Sequence, residues 1–363
     1  ASPAPNATTN FVTTFTDADN VGGSGVMHQF YQVADYNTTE WRANNDNGFF
    51  NDDFDVAIHS DWINPSGVWS IVGSKLNQND ESNSNTNIYA AVDQNNSGKF
   101  LYHYKATIDG SGTNRRAGFH YMSDDASQTN RGNSYFVWFR QDNGRLQFYK
   151  VVNNTFSLEK DVVYNFNAGQ EYDYKIVYDK VTGITEIYVD DVFVDSWQDT
   201  SPITVGNHVS FRSGDCTYDV DELRVYHSRT ASETILVGNA STNDIRYENN
   251  PNTSGRINSI VIDTAHNISI MATETVDVDF TITSIDAFEE NRLLVYPNPV
   301  KEKITIEFNK PQTGVLIIRD ISGREIIVKT LNQEKELLVN TKELSQGVYF
   351  IVYGNKVVKF LKE

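Results

Sequence analysis

The chain has 363 residues, of which 39% are hydrophobic and 21% are charged, and its formal net charge is −18 at pH 7. This composition is typical of a folded globular protein, and its acidity disfavours nucleic acid and anionic membranes as partners, because both would be repelled. No apolar run approaches the ~18 residues of a membrane span, and the single cysteine, Cys216, excludes a disulfide within the chain.

The first 52 residues contain more apolar side chains than a linker would. They begin with "ASPAPNATTN", which lacks the basic start and apolar centre of a secretory leader. Large apolar residues follow, at Phe30, Tyr31, Val33, Tyr36, Trp41 and Phe49. We therefore expect residues 1–52 to be the tail of a preceding domain, such as a domain of a larger secreted enzyme, or a brace packed on the next domain.

Residues 53–230 contain short segments in which apolar and polar residues alternate. Examples are "KFLYHYKATI" (99–108), "SYFVWFRQ" (134–141) and "YDYKIVYD" (172–179), with Asn-, Gly- and Asp-rich spacers between the segments. Alternation with period two is typical of half-buried strands, and spacers of this composition are typical of hairpin turns. The pattern predicts an antiparallel sandwich or jelly roll.

Two quoted stretches of this region carry a resemblance to known proteins. "YDYKIVYDKVTGITEIYVDDVFVDSW" (172–197) and "HVSFRSGDCTYDVDELRVYHSR" (208–229) are similar to laminin-G and concanavalin-like jelly rolls. The resemblance implies a glycan-binding domain, and some members of these families are glycoside hydrolases or polysaccharide lyases.

Three strands of the predicted jelly roll carry cations on one side. They lie in "LYHYKATI" (101–108), "RRAGFHYM" (115–122) and "SYFVWFRQ" (134–141). One set of alternating residues, which includes Tyr102, Phe119 and Val137, is expected to face the core. If the three strands are neighbours, the other set forms a basic surface with an aromatic floor for an acidic or neutral sugar polymer, which would stack on the tryptophan and bind the arginines. The candidate ligand-binding residues are His103, Lys105, Arg116, His120, Trp138 and Arg140. The alternative is that these cations pair with carboxylates on a solvated face.

The sequence offers weak support for catalysis. A retaining glycosidase on such a fold needs two carboxylates on one strand face, as in Glu-x-Asp-x-x-Glu, and this pattern is absent. The nearest string is "DVDE" (219–222), and no catalytic residue is assigned. A non-catalytic binding module is favoured, while a polysaccharide hydrolase or lyase with its site on the concave face of the jelly roll stays open as the alternative.

The jelly-roll resemblance also implies a structural Ca²⁺ where the first and last strands meet. Calcium binds carboxylate and carbonyl oxygens. "FFNDDFD" (49–55) and "YDVDE" (218–222) supply the candidate ligands Asp53, Asp55 and Asp221. Solvated acids without a metal are the alternative in so acidic a chain.

A shorter β-rich region follows at residues 231–286. Val276, Val278, Phe280 and Ile282 alternate with polar residues. We expect a small immunoglobulin-like β-domain or spacer here.

The last region, residues 287–363, differs in charge from the rest of the chain. Residues 293–363 contain 11 Lys and Arg against 8 Asp and Glu, a net charge of +3, so residues 1–292 carry −21. "YPNP" (296–299) precedes a run of strand patterns, and its two prolines fix φ and remove two backbone donors. These features indicate a separate β-sandwich with a defined start.

Three segments of this last region resemble a known family. "VYPNPVKEKITIEF" (295–308), "RDISGREI" (319–326) and "LSQGVYFIVYGNKVVKFLKE" (344–363) are similar to the type A sorting domain of the type IX secretion system of Bacteroidota. The resemblance implies export across the outer membrane to the cell surface or the medium, with the type IX translocon, an outer-membrane shuttle protein and a sortase as partners. The motif residues are Tyr296, Pro297, Asn298, Pro299, Gly323, Arg324, Gly347, Tyr349 and Lys359.

The predicted fold is therefore all-β. It consists of an antiparallel jelly-roll sandwich, a small immunoglobulin-like β segment and a C-terminal β-sandwich sorting domain.

Overall fold

A computed structural model describes residues 10–17, 19, 22–37, 39–238, 244–247, 254–277, 293–354 and 356–363. The chain forms two compact units, Ala1–Thr281 and Ile282–Glu363. Nearly all of the regular structure is β-strand, and a single short 3₁₀ turn, Asn45–Asn47, occurs in the described parts. Across these residues we find no helix that is long and apolar enough to cross a membrane.

In its described residues the first unit contains twenty-two strands. The first eleven are β1 (Asn10–Thr14), β2 (Val26–Tyr36), β3 (Trp41–Arg42), β4 (Phe50–Asp52), β5 (Trp62–Ser66), β6 (Trp69–Ile71), β7 (Leu76–Gln78), β8 (Asn87–Ala91), β9 (Lys99–Asp109), β10 (Arg116–Ser123) and β11 (Ser134–Arg140). The next eleven are β12 (Arg145–Val152), β13 (Thr155–Val163), β14 (Glu171–Asp179), β15 (Ile184–Val189), β16 (Val192–Gln198), β17 (His208–Gly214), β18 (Thr217–Ser228), β19 (Thr234–Gly238), β20 (Ile245–Arg246), β21 (Ser254–Asp263) and β22 (Ala272–Asp277).

Two large sheets form the jelly-roll sandwich. A seven-stranded sheet has the order β13-β12-β11-β10-β17-β8-β5. A twelve-stranded sheet has the main order β16-β15-β14-β9-β18-β2-β21-β22, with β3, β4, β6 and β7 attached beside it. Every strand pair in both sheets is antiparallel, as the short alternating segments predict.

Aromatic side chains fill the space between the two sheets. Tyr102 of β9 in the twelve-stranded sheet packs on Phe119 of β10 in the seven-stranded sheet, with 5.5 Å between ring centres. Phe139 of β11 packs on Tyr174 of β14 at 4.2 Å. Both pairs belong to one large buried cluster. The predicted core-facing phase of β9, β10 and β11 is therefore confirmed.

The predicted brace 1–52 and the predicted immunoglobulin-like segment 231–286 are not separate in the structure. Strand β2 lies between β18 and β21, with Tyr31 opposite His227 and Phe30 opposite Ile260. Strand β1 pairs with β19 in a sheet of three strands. Both segments therefore extend the sheets of the jelly roll, and the boundary between the units falls at 281/282 rather than at the predicted 286/287.

A second buried cluster explains why these two segments join. Tyr31 and Phe49 from the first segment pack with Ile235 and Ile257 from the second. Neither segment is long enough to bury its apolar side chains alone, so the two share a core. Of the residues that predicted the immunoglobulin-like pattern, Val276 is buried in this cluster, whereas Val278, Phe280 and Ile282 lie outside the described residues.

The second unit is a five-stranded β structure with its own core. Its strands are β23 (Leu293–Tyr296), β24 (Lys303–Asp320), β25 (Glu325–Asn340), β26 (Gly347–Tyr353) and β27 (Lys356–Lys362). The long β24 pairs with β23 through its first part and with β26 through its last part, while β25 runs along its other edge. Ile304, Phe308, Ile318, Ile351 and Phe360 are among its buried core residues.

Candidate functional site

Four of the six predicted ligand-binding residues share the outer face of the seven-stranded sheet. Strands β10 and β11 are neighbours, and their register sets Arg116 opposite Arg140 and Gly118 opposite Trp138. His120 lies two residues beyond Gly118 on the same face. Because the residues between them face the core, these four side chains point away from the sandwich interior.

His103 and Lys105 lie elsewhere, so the condition that all three strands are neighbours is not met. Their strand, β9, belongs to the twelve-stranded sheet and pairs with β14 and β18. His103 Nε2 lies 2.9 Å from Asp173 Oδ2, and Lys105 Nζ lies 3.0 Å from Glu222 Oε1. Lys105 is thus paired with a carboxylate on the outer face of the opposite sheet, as the alternative interpretation expects, whereas His103 is buried and burial lowers its pKa.

A residue that the sequence interpretation missed completes the face. Arg212 on β17 lies opposite Gly118 on β10, and Gly118 lies opposite Trp138 on β11. Since Gly118 has no side chain, Arg212 reaches across it, and its guanidinium carbon lies 4.9 Å from the ring centre of Trp138. Arg116 approaches the same ring at 5.4 Å. We call Arg116, Trp138 and Arg212 the arginine–tryptophan cluster.

Trp138 is not the open stacking platform that the sequence suggested. Only 8% of its surface is exposed. The ring of Phe136 meets it edge-on at 4.5 Å, in addition to the two guanidinium groups. Its indole Nε1 is buried and has no hydrogen-bond partner among the described residues. The tryptophan therefore supports the arginines, of which Arg116 is partly exposed and Arg212 is as buried as Trp138.

The two arginines of the cluster have no carboxylate partner in the described part of the chain. An Nη atom of Arg116 donates to the carbonyl oxygen of Asn114 at 2.6 Å. Arg212, which is 8% exposed, donates weakly to Asn130 Oδ1 at 3.3 Å, and its Nε has no partner. Burial, with the nearby charge of Arg116, lowers the pKa of Arg212 to about 9. A charge held in such surroundings attracts an anion or a polar ligand.

Arg140 differs from the cluster arginines. Its guanidinium donates to both carboxylate oxygens of Asp142, at 3.1 and 2.8 Å, and to Asn114 Oδ1 at 2.8 Å. The hydrogen bond to Asp142 raises the pKa of Arg140 above its usual value. Arg140 is therefore neutralised by the protein itself and borders the cluster.

His120 is fully buried beneath the same face. Its ring stacks on Phe136 with 4.1 Å between ring centres, and its Nδ1 lies 3.1 Å from Ser134 Oγ. Burial, followed by the charges of Arg131 and Arg212, lowers the pKa of His120 well below its usual value. It is therefore a neutral packing residue at physiological pH and adds no charge to the face.

A polar rim borders the cluster on the side of β12. Gln147 lies opposite Trp138 in the sheet. It accepts a hydrogen bond from the hydroxyl of Tyr149 at 3.1 Å and donates to Asp161 Oδ1 at 3.3 Å. The outer face thus combines two guanidinium groups, an amide and a half-buried tyrosine, which can hydrogen-bond to hydroxyl and acidic groups.

The three predicted calcium ligands do not form a metal site. Asp53 Oδ1 lies 3.0 Å from a terminal nitrogen of Arg224, Asp55 is exposed, and Asp221 lies opposite Lys105 in the sheet. Burial raises the pKa of Asp221, which disfavours the ionised form that calcium requires. Among the described residues, no group of three or more His, Cys, Asp or Glu side chains could hold a metal ion. The residues therefore do not fit the implied Ca²⁺.

The sorting motif joins the first and last strands of the second unit. The Asn298 side chain accepts a hydrogen bond from Leu361 N at 2.8 Å and donates to the Lys359 carbonyl at 3.3 Å. Pro297 and Pro299 flank it, and the Tyr296 hydroxyl donates to Glu307 Oε2 at 2.9 Å. The stretch that precedes β24 is thereby attached to the terminal strand β27.

The remaining motif residues lie in one turn and two strands. Gly323 has φ +85° in the turn between β24 and β25, where Asp320 accepts hydrogen bonds from the backbone and side chain of Arg324. Such a positive φ favours glycine. Gly347 begins β26, and Tyr349 stacks on Phe360 while donating its hydroxyl to the Ser345 carbonyl. The side chain of Lys359 is exposed.

Comparison with known proteins identifies the second unit. Residues 294–362 match the family described as the secretion system C-terminal sorting domain. No curated protein matches the chain. The chain therefore carries a type IX sorting domain, and it is exported across the outer membrane to the cell surface or the extracellular space.

Several solved structures resemble the first unit. They include the carbohydrate binding module CBM66 from Bacillus subtilis (17% identity, 46% of this chain, 95% of that chain, TM-score 0.38). Lectin II from Ulex europaeus (14%, 49%, 98%, TM-score 0.37) and the beta-glucanase of Bacillus licheniformis (14%, 50%, 99%, TM-score 0.38) are also similar. At these identities and TM-scores the similarities support no functional argument.

Proposed function

We propose that this exported protein is a non-catalytic glycan-binding protein whose site is the outer face of the seven-stranded sheet. One observation carries the proposal: Arg116 and Arg212 are held over Trp138 without a carboxylate partner in the described residues. A structural arginine in an acidic protein is normally paired, so an unpaired pair on one face is suited to a ligand.

The neighbouring groups suit a sugar polymer. The Gln147 amide, the Tyr149 hydroxyl and the guanidinium groups lie side by side on adjacent strands. Sugars present many hydroxyl groups, and a flat array of donors and acceptors beside aromatic rings is the chemistry that binds them.

The carboxylates on the opposite sheet support the non-catalytic part of the proposal. Burial raises the pKa of Asp173, but the hydrogen bond and charge of His103 outweigh this effect and hold the pKa below its usual value. Arg224 and Lys105 likewise lower the pKa of Glu222 against the effect of burial. A glycosidase acid needs a raised pKa so that it keeps its proton, and these two groups are held in the ionised form.

The sorting domain adds the proposed partners. We infer that the type IX translocon, an outer-membrane shuttle protein and a sortase handle the chain through its second unit. The binding unit would then act at the cell surface or in the medium, where it would hold the protein on a polysaccharide.

The proposal is tested by affinity gel electrophoresis of the full chain over a panel of polysaccharides. We expect retardation by at least one polymer, and loss of that retardation in the double variant Arg116→Ala, Arg212→Ala. The control Lys105→Ala removes a cation of β9 on the outer face of the opposite sheet and should bind as the wild type does. The proposal fails if no polymer retards the chain, or if a folded double variant is retarded as strongly as the wild type.

A further inference from the structure

We infer that the arginine–tryptophan cluster selects acidic glycans, and that a sugar carboxylate or sulfate binds Arg116 and Arg212. This inference rests on the proposed function and narrows its ligand. Three independent features of the outer face point to an anion: the balance of charge, the type of unfilled hydrogen-bonding group and the fixed position of the arginines.

The charge balance of the face is positive although the chain is acidic. Arg131 lies beneath the cluster, fully buried, and donates to Ser210 Oγ, Asn85 Oδ1 and the carbonyls of Thr86 and Thr129. All of these acceptors are neutral. Arg131 therefore adds a positive charge that the protein does not neutralise within the described residues.

The three cations, Arg116, Arg131 and Arg212, are close enough to affect one another's pKa. Burial lowers the pKa of Arg131, and the charge of Arg212 lowers it further. Burial lowers the pKa of Arg212, and the charge of Arg116 lowers it further. Asp215 and Asp142 offset part of the positive charge around Arg116. An anion bound at the face would relieve this repulsion, because opposite charges at short distance favour the charged form of each group.

The unfilled hydrogen-bonding groups of the cluster are donors. Arg212 Nε and Trp138 Nε1 are buried and without a partner among the described residues. Neither nitrogen can accept a hydrogen bond. A carboxylate or sulfate offers only acceptors, whereas a neutral hydroxyl must also place its own hydrogen. The cluster therefore favours an acidic group over a hydroxyl.

The arginines are held in position before any ligand arrives. Arg212 lies 4.9 Å from the ring centre of Trp138 and 4.8 Å from that of Phe156, so its guanidinium is stacked between aromatic neighbours. Stacking leaves the edge of a guanidinium free, and this edge matches the two oxygens of a carboxylate or sulfate. Little side-chain freedom remains to be lost on binding.

Matched polymers separate acidic from neutral recognition. The full chain would be run in affinity gels that contain polygalacturonate or its fully methyl-esterified form, and dextran sulfate or dextran. We expect the acidic member of at least one pair to bind about tenfold more tightly than its neutral partner, a difference typical of one charge-assisted contact. Selectivity within the first pair indicates recognition of a carboxylate, and selectivity within the second pair indicates recognition of a sulfate.

Two variants and one control assign the selectivity to the cluster. Arg212→Gln and Arg116→Gln should each weaken binding of the acidic polymer by about tenfold and weaken binding of the neutral polymer by less. Lys105→Gln, at a cation on the opposite sheet 3.0 Å from Glu222, should bind as the wild type does. Thermal unfolding of each variant checks folding, and Arg116, which is only half-buried, provides the informative variant if Arg212→Gln unfolds.

The outcomes distinguish the inference from the proposed function. Equal binding of the acidic and neutral members of both pairs overturns the inference and leaves glycan binding in place. Acidic selectivity that survives in folded Arg116→Gln and Arg212→Gln variants also overturns it. Absence of binding to all four polymers and to the wider panel overturns both.

Discussion

The guanidinium carbon of Arg212 lies 4.9 Å from the ring centre of Trp138, although a whole strand, β10, separates their two strands. The approach is possible because Gly118 of β10 lies opposite both residues. A Cβ atom at Gly118 would lie 2.0 Å from the Val137 carbonyl oxygen and 2.9 Å from the Phe136 ring. The geometry of the arginine–tryptophan cluster therefore depends on a residue that has no side chain.

Gly118→Ala should destabilise the protein and displace the cluster. Because the added methyl group meets backbone as well as a ring, we expect a loss of about 1–3 kcal/mol in the free energy of unfolding, as is usual for overpacking. Urea denaturation measures it. Gly98→Ala is the control, since a Cβ there would meet only Val181 at 3.7 Å. Equal stability of the two variants would contradict the role of Gly118.

Arg42 should stabilise the attachment of the first fifty residues. It is fully buried, lies 3.2 Å from Asp52 Oδ2, and also pairs with Asp61. Burial raises the pKa of Asp52 while the charge of Arg42 opposes this rise. Arg42→Leu leaves the Asp52 carboxylate buried and unpaired, so we expect a loss of roughly 3–5 kcal/mol in unfolding free energy.

The double variant Arg42→Leu, Asp52→Asn tests this explanation. It removes the unpaired charge, and its unfolding free energy should lie above that of Arg42→Leu alone. If Asp52→Asn adds its own loss instead of recovering stability, the charge pair is not the cause.

His227 should make stability depend on pH in the acidic range. Its ring stacks on Phe49 at 3.8 Å, its Nε2 lies 2.6 Å from the Asn47 carbonyl, and burial lowers its pKa from 6.5 to about 3. Between these values the unfolded chain binds a proton that the folded protein does not. Acidification therefore favours unfolding, with a slope of up to about 1.4 kcal/mol per pH unit from this one group.

Urea denaturation at pH 4 and pH 7 measures the effect. The wild type should be less stable at pH 4, and His227→Phe, which keeps an aromatic ring on Phe49 but cannot titrate, should show a smaller difference between the two pH values. The same difference in both proteins would assign the acid sensitivity to other groups.

Asn298→Ala should loosen the sorting domain. The substitution removes two hydrogen bonds to the terminal strand, at Leu361 N and the Lys359 carbonyl. We expect a loss of about 1–2 kcal/mol in the unfolding free energy of the second unit. Pulse proteolysis of the full chain, with detection of the C-terminal fragment, measures it.

Lys359→Ala separates stability from recognition. Its side chain is exposed, and its backbone carbonyl remains available to Asn298. The second unit should unfold as in the wild type. A protease sensitivity equal to that of Asn298→Ala would mean that the strand itself, rather than the asparagine bridge, is weakened.

Local patterns predicted the fold better than they predicted the site. The alternation in β9, β10 and β11 identified which residues face the core, because side-chain direction depends only on the strand itself. It could not identify β9 as a strand of the other sheet, which is a non-local property. His103 and Lys105 were assigned to the ligand face for that reason.

Arg212 was missed for the same reason. The string "HVSFRS" (208–213) has the alternation of a strand, but its place beside β10 is set by sheet order. The sorting motif was easier to identify from the sequence, because its residues lie within one short unit. The bridge from Asn298 to the last strand still required the structure.

The position of β2 between β18 and β21 has a consequence for biosynthesis. Val26 to Asp35 pair with residues from Gly255 to Asp263. Strand β2 therefore stays unpaired on this edge until β21 has been synthesised, after the rest of the sandwich. Pairings of such long sequence separation slow folding, and an unpaired strand edge recruits other chains. A recombinant fragment that stops at residue 230 would retain that open edge permanently and should aggregate. Fragments used for binding work must therefore extend beyond β22.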